Sequence, residues 1–548
     1  MAKIIKYDND AKQKLLAGIE KLEKAVSTTL GPAGKNVIID EYGSIHSTKD
    51  GVTVAKSIVL KDPFENLGAN AVKEVAQKSN DKVGDGTTTS TLLAATIFKN
   101  GIKQVALGAN ATQVKNGILK AAKKVSSMLN EKSVPIQSKE EIRRVCVVSA
   151  NGDEEIGEMI ADVMDKIGKD GVIKVEDGQT AELTSKIVEG MSLDNGWVSP
   201  LMVTSQEKNE AELDEALVLL VDKKITNIQE LILCLQSVAQ SGKPLFIIAD
   251  DYAEDILATL VMNKLRGFNC CAIKSPSFGD NRKAILDDIA ILVGGKVVSD
   301  TTGVKLESAV VGGSTLGTAK RILVGKDSTV IFGGYGAKED IDARANALRE
   351  QIKNCKEAYD KEKLQERLGK LTNGIGIISV GADTEAERKE KRDRVDDAFN
   401  AAKCAVRSGI VAGGGIALYN IEEELKNAEK SDGMAKSEEI GFNILVESLV
   451  APIRKILENA GLNYLSILTE IDRASKKNLG YDVYSNKYCD MLEAGIIDPT
   501  EVVVNEVVNA ASIAGLLLTT EALVVEESVD KTGASASCTS CNPGMQMY

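Results

Sequence analysis

Residues 83–89, Val-Gly-Asp-Gly-Thr-Thr-Thr, gather the parts of an anion site into seven positions. Asp85-Gly86-Thr87-Thr88-Thr89 opens a predicted helix, where backbone N–H groups and the helix dipole favour negative charge. Gly84 and Gly86 let the backbone approach a ligand closely, and the three hydroxyls add donors. Asp85 cannot attract phosphate itself; its chemical role would be to hold a divalent cation that bridges phosphate oxygens. The alternative for so short a motif is an N-capped helix preceded by a glycine turn.

Other candidates are scattered along the chain. Asp50, between Lys49 and Gly51 on a polar turn, suits the orientation of water or a metal, or is an exposed turn residue. Asp396 and Asp397 are neighbours on a predicted helix and face different directions, so one could reach a site while the other pairs; a solvated pair is the alternative. Ala412-Gly413-Gly414-Gly415 precedes an apolar helix, which suits close approach of a ligand or a flexible turn. Gly31-Pro-Ala-Gly34-Lys35-Asn36 is too short for a P-loop and lacks its Ser or Thr. The single histidine, His46, is no basis for a metal centre. Cys538-Thr-Ser-Cys541 has no second pair to complete a structural zinc site.

The elements that must position these residues show in the hydrophobic periodicity. Leu15, Ile19, Leu22 and Val26 form one helical stripe that stops at Thr29-Leu30-Gly31-Pro32. A strand over 37–39, a polar turn at 48–51 and helices near 64–81, 87–98 and 109–130 follow. In the middle, the apolar runs at 218–221, 245–248 and 272–273 alternate with helical patterns, which predicts an α/β domain. One long charged helix is predicted over 338–370, and Ala-rich helices return beyond Gly409. Gly190 and Gly374 bracket the α/β segment and suit hinges or ordinary turns. The tail from Thr532 to Tyr548 has the composition of a disordered segment.

At 548 residues the chain is long enough for two to four domains. A net charge of −13 argues against nucleic acid as the main partner. The nine cysteines are irregularly spaced, as in a reducing compartment. Cys270 and Cys271 would point to opposite faces of a strand. The first residues lack a secretory or transit pattern, and the apolar runs look short of the roughly 20 residues that span a bilayer, so a soluble intracellular protein is expected.

Taken in order and spacing, Thr29-Leu-Gly-Pro32, Thr48-Lys-Asp-Gly51, Val83–Thr89, Ala412–Gly415 and Gly495-Ile-Ile-Asp-Pro-Thr500 resemble the group I chaperonins along essentially the whole chain except the tail. The resemblance implies a multidomain α and α/β chaperonin fold. A mainly helical equatorial ATPase domain would comprise 1–131 and 408–525. A small intermediate domain would comprise 132–188 and 376–407, and an α/β apical domain 189–375, with 526–548 a disordered tail. It further implies homo-oligomeric rings of seven, or fourteen when paired, a small co-chaperonin lid and non-native polypeptide clients. No nucleic acid or membrane would be involved. The location would be bacterial cytoplasm or, for a mature form, an organelle matrix.

By motif, the resemblance implies ATP, Mg2+ and K+ as cofactors. Thr29, Leu30, Gly31 and Pro32 would line the nucleotide with Lys49. Asp85 would hold Mg2+, Gly86, Thr87, Thr88 and Thr89 would cradle the phosphates, and Thr29, Lys49 and Thr88 would help place K+. Asp397 would position the attacking water with support from Asp50. Gly414, Asp482 with Val483 and Tyr484, and Asp498 would contact the adenosine end. Trp197, Leu201, Met202, Ile232, Leu235, Leu257, Val261 and Met262 fall where the family exposes apolar groups to clients and lid; a buried stripe is the alternative. Two departures stand out. Arg407-Ser408 replaces an acidic pair, which puts an inter-domain charge contact in doubt, and the tail lacks Gly-Gly-Met repeats.

Overall fold

The computed structural model describes residues 3–526 except 42–43, 137, 151, 169–170, 179–181, 206–207, 300–301, 356–357, 428–433 and 475. Cys538, Cys541 and nearly all of the tail expected from 526 lie outside the described residues. The chain divides into two compact units, Met1–Ile136 with Arg407–Tyr548, and Gln137–Val406.

The first unit opens with β1 (Lys3–Tyr7), α1 (Asp8–Ser27) and the hairpin β2 (Val37–Glu41) and β3 (Ser44–Thr48). Four helices follow, α2 (Gly51–Ser57), α3 (Pro63–Val83), α4 (Thr87–Ala106) and α5 (Ala111–Lys132). The α1 stripe is what the periodicity predicts: Leu15, Ile19, Leu22 and Val26 are at most 1% exposed. The Asn110 side chain caps α5 by accepting from Gln113 N–H.

The second unit carries α6 (Lys139–Ser149), α7 (Glu154–Ile167), β4 (Val172–Asp177), β5 (Thr184–Val188), β6 (Gly190–Leu193), β7 (Ala211–Ile225), α8 (Ile228–Ser241) and β8 (Leu245–Tyr252). It continues through α9 (Glu254–Leu265), β9 (Cys270–Lys274), α10 (Gly279–Val293), β10 (Val297–Val298), β11 (Gly317–Val324) and β12 (Thr329–Gly334). It closes with α11 (Lys338–Asn354), α12 (Ala358–Thr372), β13 (Ile375–Val380) and α13 (Glu385–Ser408), whose last residues enter the first unit.

One core of this unit surrounds the sheet β6-β12-β11-β7-β8-β9, with β10 beside β7. β7, β8 and β9 are parallel and covered on both faces, so Cys270 and Cys271 are both buried although they point oppositely. A second core packs α6, α7 and α13 on the sheet β4-β13-β5. The α/β expectation for the middle of the chain therefore holds. The single helix predicted over 338–370 does not: α11 ends where Cys355 turns extended, and α12 begins at Ala358. Gly190 lies buried inside β6, where Ile331 O leaves no room for a Cβ, so close approach explains it better than hinging.

The chain then returns to the first unit as β14 (Ile410–Ala412), α14 (Ile416–Asn427), α15 (Lys436–Ser448), α16 (Ala451–Asn459) and α17 (Tyr464–Ala474). The hairpin β15 (Leu479–Asp482) and β16 (Lys487–Asp490), then β17 (Ile497–Pro499), α18 (Thr500–Leu518) and β18 (Ala522–Glu526) complete it. α18 corrects the expectation of uniformly short apolar runs. Its 19 residues are long and apolar enough to cross a membrane, yet 67% of the stretch is buried, within a core shared with α1, α3, α4, α5, α14 and α15. β1 and β18 pair antiparallel, Lys3 with Glu526 through Tyr7 with Ala522.

Candidate functional site

Three turns of the first unit build the site. The first follows α1. Thr29 N–H and its hydroxyl both donate to Val26 O, at 3.1 and 2.9 Å, and Lys35 N–H closes the loop on Thr28 O at 2.9 Å. Asn459, at the end of α16, donates to Ser27 O and Leu30 O, each at 2.9 Å, and Gly31 packs on Ile456. The Thr29–Pro32 segment is thereby held from a part of the chain more than 400 residues away.

The second turn starts α2, a helix the sequence reading missed. Asp50 is its N-cap: the carboxylate accepts from Val52 N–H at 3.1 Å, Thr53 N–H at 2.8 Å and the Thr53 hydroxyl at 2.6 Å. The expected polar turn is thus a capped helix start. A carboxylate has about four acceptor positions, so among the described residues these three bonds leave Asp50 one.

The third turn is the glycine–threonine motif. Gly86 is the N-cap of α4 with φ 77°, in the left-handed region that favours glycine, and its N–H donates to Asp85 Oδ1 at 2.6 Å. The first intrahelical bond runs from Ser90 N–H to Gly86 O at 3.0 Å. The N–H groups of Thr87, Thr88 and Thr89 precede it and, by helix geometry, point out of the helix end. The α2 and α4 starts meet here: a Cβ at Gly51 would stand 2.2 Å from Thr88 Oγ1 and 3.2 Å from Thr87 Oγ1.

Asp498 on β17 joins this ground. Burial and the charge of Asp85 push its carboxyl up to about 7. β17 pairs with β14, Asp498 opposite Val411, and β14 leads into the triple glycine. Gly413 N–H donates to Ile496 O at 2.9 Å, and Gly415 passes so close to Ile453 that a Cβ would stand 2.8 Å from its nitrogen. That close packing, not flexibility, accounts for the glycines. A smaller core around Ile416, Ile453 and Met491 then carries Val483. Asp482 accepts from Tyr484 N–H at 2.9 Å, and Tyr484 is 66% exposed.

This donor set fits a cation bound with a polyphosphate. The charge of Asp85 opposes the ionisation of Asp498, and a divalent ion would relieve that repulsion. Among the described residues no group of three or more His, Cys, Asp or Glu is arranged to hold a metal. The chemistry of the two carboxylates fits Mg2+, which takes one or two such groups and completes its shell with phosphate and water.

The remaining candidates lie in the second unit. Asp397 is half-buried on α13. Its neighbour Asp396 faces Arg392 at 3.8 Å, and burial pushes its carboxyl up to about 6. Of the apolar candidates, Leu201 and Met262 are exposed, while Trp197, Ile232, Leu235, Leu257 and Val261 are half-buried. Met202 corrects the expectation: it is 0% exposed, with its sulfur accepting from Ala272 N–H at 3.4 Å, so it belongs to the core. Leu233 on α8 and Leu265 on α9, both exposed, were missed. Leu265 follows Met262 by three and Val261 by four, a spacing that could have flagged it. Arg407-Ser408 acts inside the first unit. The Arg407 guanidinium pairs with Glu501 (Nε–Oε2 2.9 Å), and Ser408 Oγ accepts from Glu501 N–H at 3.1 Å.

The sequence profile of the TCP-1/cpn60 chaperonin family matches residues 22–528, and the chain belongs to that family. Its fold is also similar to that of the chaperonin gp146 from the bacteriophage EL 2 (Pseudomonas aeruginosa), crystallised in the presence of ATP-BeFx. Crystal form II matches with a TM-score of 0.73 at 21% identity, covering 96% of this chain and 100% of that one. Crystal form I gives 0.64 at 20% identity, covering 96% and 99%.

Proposed function

We propose that this chaperonin subunit hydrolyses ATP and uses the cycle to capture, enclose and release non-native polypeptides, in the manner of the group I chaperonins. The observation that carries the reading is the meeting of the α2 and α4 starts, which sets Gly51, beside Asp50, against the Thr87 and Thr88 hydroxyls next to the Asp85 turn. Thr87, Thr88 and Thr89 bind the phosphates through their N–H groups, the Thr87 and Thr88 hydroxyls add donors, and Thr29–Pro32 and Lys49 flank them. Asp85 holds Mg2+, which when bound neutralises phosphate charge. Thr29, Lys49 and Thr88 place K+. Gly414, Asp482, Val483, Tyr484 and Asp498 form the adenosine end.

Asp397 orients the attacking water, and Asp50 supports it with its one remaining acceptor position. Phosphoryl transfer of this kind needs positioning and charge neutralisation, not a covalent nucleophile. In this reading 1–131 with 408–525 is the equatorial domain, 132–188 with 376–407 the intermediate domain and 189–375 the apical domain. Seven or fourteen subunits form rings that take a co-chaperonin lid, in a bacterial cytoplasm or an organelle matrix. Leu201, Leu233, Met262 and Leu265 are the exposed apolar groups offered to clients.

The test is purified protein in three assays: Mg2+- and K+-dependent ATP hydrolysis, particle size by electron microscopy, and refolding of a chemically denatured client with and without lid. Hydrolysis, ring particles and ATP-dependent client recovery are expected. A monomer without hydrolysis under all conditions would overturn the reading.

A further inference from the structure

α18 carries an acid into the interior to which the reading above assigns no task. Glu506 interrupts the apolar run Val502-Val-Val-Asn-Glu-Val-Val508 and is 7% exposed. It lies one turn along from Val502, and the two side chains press on the motif turn together. A Cβ at Gly86 would stand 2.7 Å from Glu506 Oε1, 2.9 Å from its Cγ and 2.8 Å from Val502 Cγ1. The Thr89 side chain favours the charged form of the Glu506 carboxyl, which places its hydroxyl on the side of that acid. One buried group therefore packs beneath the left-handed N-cap of α4 and acts on the third of its threonines.

Stability alone would not put an acid there. Burying a carboxyl among apolar side chains is costly, and Asp85 and Asp498 add like charge that, with burial, pushes Glu506 well above the usual carboxylate range. An apolar residue would pack beneath Gly86 without that cost, but it could not hold the Thr89 hydroxyl.

We propose that Glu506 is a positioning residue for the phosphate-binding turn: it fixes the Thr89 hydroxyl and braces Gly86, so that the leading N–H groups of α4 keep one arrangement toward the nucleotide. The proposal deepens the ATPase reading and rests on it. Glu506 acts through Thr89 and Gly86 and does not itself meet the reacting atoms.

The test compares steady-state ATP hydrolysis and thermal unfolding of the full chain with those of Glu506→Ala, Glu506→Gln, Thr89→Val and the double variant Thr89→Val/Glu506→Ala. Glu506→Ala is expected to keep or raise the unfolding midpoint, because a buried acid is removed, while kcat falls about tenfold, the scale of one hydrogen bond, with KM changed less than about threefold. Glu506→Gln keeps an acceptor for Thr89 and is expected to recover to within about threefold of the parent. The double variant is expected to fall no further than Glu506→Ala alone, since Thr89→Val removes only an interaction that Glu506→Ala has already removed.

Parent-like kcat and KM in Glu506→Ala would overturn the proposal. So would equal impairment of the Ala and Gln variants, or additive effects in the double variant. Should Glu506→Ala fail to fold, Glu506→Asp decides: it keeps the acid but withdraws it by one methylene, and parent-like kinetics there overturn the proposal. A parent chain that hydrolyses no ATP would instead overturn the ATPase reading and be recognised as that.

Discussion

Thr88 Oγ1 occupies the space that any side chain on Gly51 would need, 2.2 Å from the position of a Cβ there. The two residues start different helices, so this contact couples the Asp50 cap to the threonines of the motif. Gly51→Ala should rotate the Thr88 hydroxyl away and leave both helices folded. Losing one hydrogen bond to a charged ligand predicts a rise in KM for ATP of about 10- to 100-fold. Nucleotide titration by calorimetry, with circular dichroism to confirm the fold, checks it.

Asp397 is assigned to the attacking water, so its loss should spare binding and stop turnover. Asp397→Ala is expected to lower kcat by about 100-fold or more, the scale of a positioned acid–base group, with ATP affinity within threefold of the parent. Single-turnover kinetics separate the two quantities. Unchanged hydrolysis would remove Asp397 from the mechanism.

Met202 and Leu265 give opposite outcomes for the same kind of substitution. Leu265→Ser on the outer face of α9 should weaken capture of a denatured client and leave the unfolding curve nearly unmoved. Met202→Ser, in the core, should cost about 2–5 kcal/mol of stability through the cavity and the lost contacts. Client co-sedimentation and urea unfolding distinguish them.

Asp288 on α10 is 1% exposed and held by Arg344 at 2.7 Å and Arg367 at 2.8 Å, which tie α11 and α12 to α10. Asp288→Ala leaves two mostly buried guanidinium groups without their carboxylate. A loss of about 3–5 kcal/mol is expected, read from the unfolding transition of the second unit.

Asp396 makes stability depend on pH. Its carboxyl is pushed up to about 6 by burial, above its ordinary 3.8. The folded chain therefore binds more protons than the unfolded chain between about pH 4 and 6, and this residue's contribution falls as pH rises through that window. Asp396→Asn should gain stability over the parent at pH 7, and the difference should vanish near pH 4. The side chain keeps 46% of its exposure, so solvent screens part of the effect. Urea unfolding at four pH values between 4 and 7 checks the slope.

What was legible in the sequence followed from periodicity and glycine placement. The α1 stripe, the α4 start at Thr87 and the alternation of the middle segment were readable because each rests on neighbours a few residues apart. Asp50 read as a turn because α2 has only seven residues, too few for a stripe. Its cap was still written in Asp50 and Thr53, three positions on. Met202 and Met262 look alike as residues, and only the sheet beneath Met202 separates core from surface. Glu506 escaped because α18 was read for its apolar content, while the acid inside that run was the signal. The Asn459 contacts to Ser27 and Leu30 had no local sign, since they join residues far apart in the chain.

The pairing of β1 with β18 has a consequence for how the protein is made. Residues 3–7 find their partners only when 522–526 have been synthesised, and the helices between them share a core with α14, α15 and α18. At 5–20 residues per second, the ribosome takes roughly 20–80 s to go from residue 136 to residue 526. The inserted unit is continuous in sequence and is complete well before then. During that interval the nascent α1, α3, α4 and α5 lack the late helices that complete their core, so for most of its own translation the subunit is an unfinished chain of the kind it is proposed to rescue.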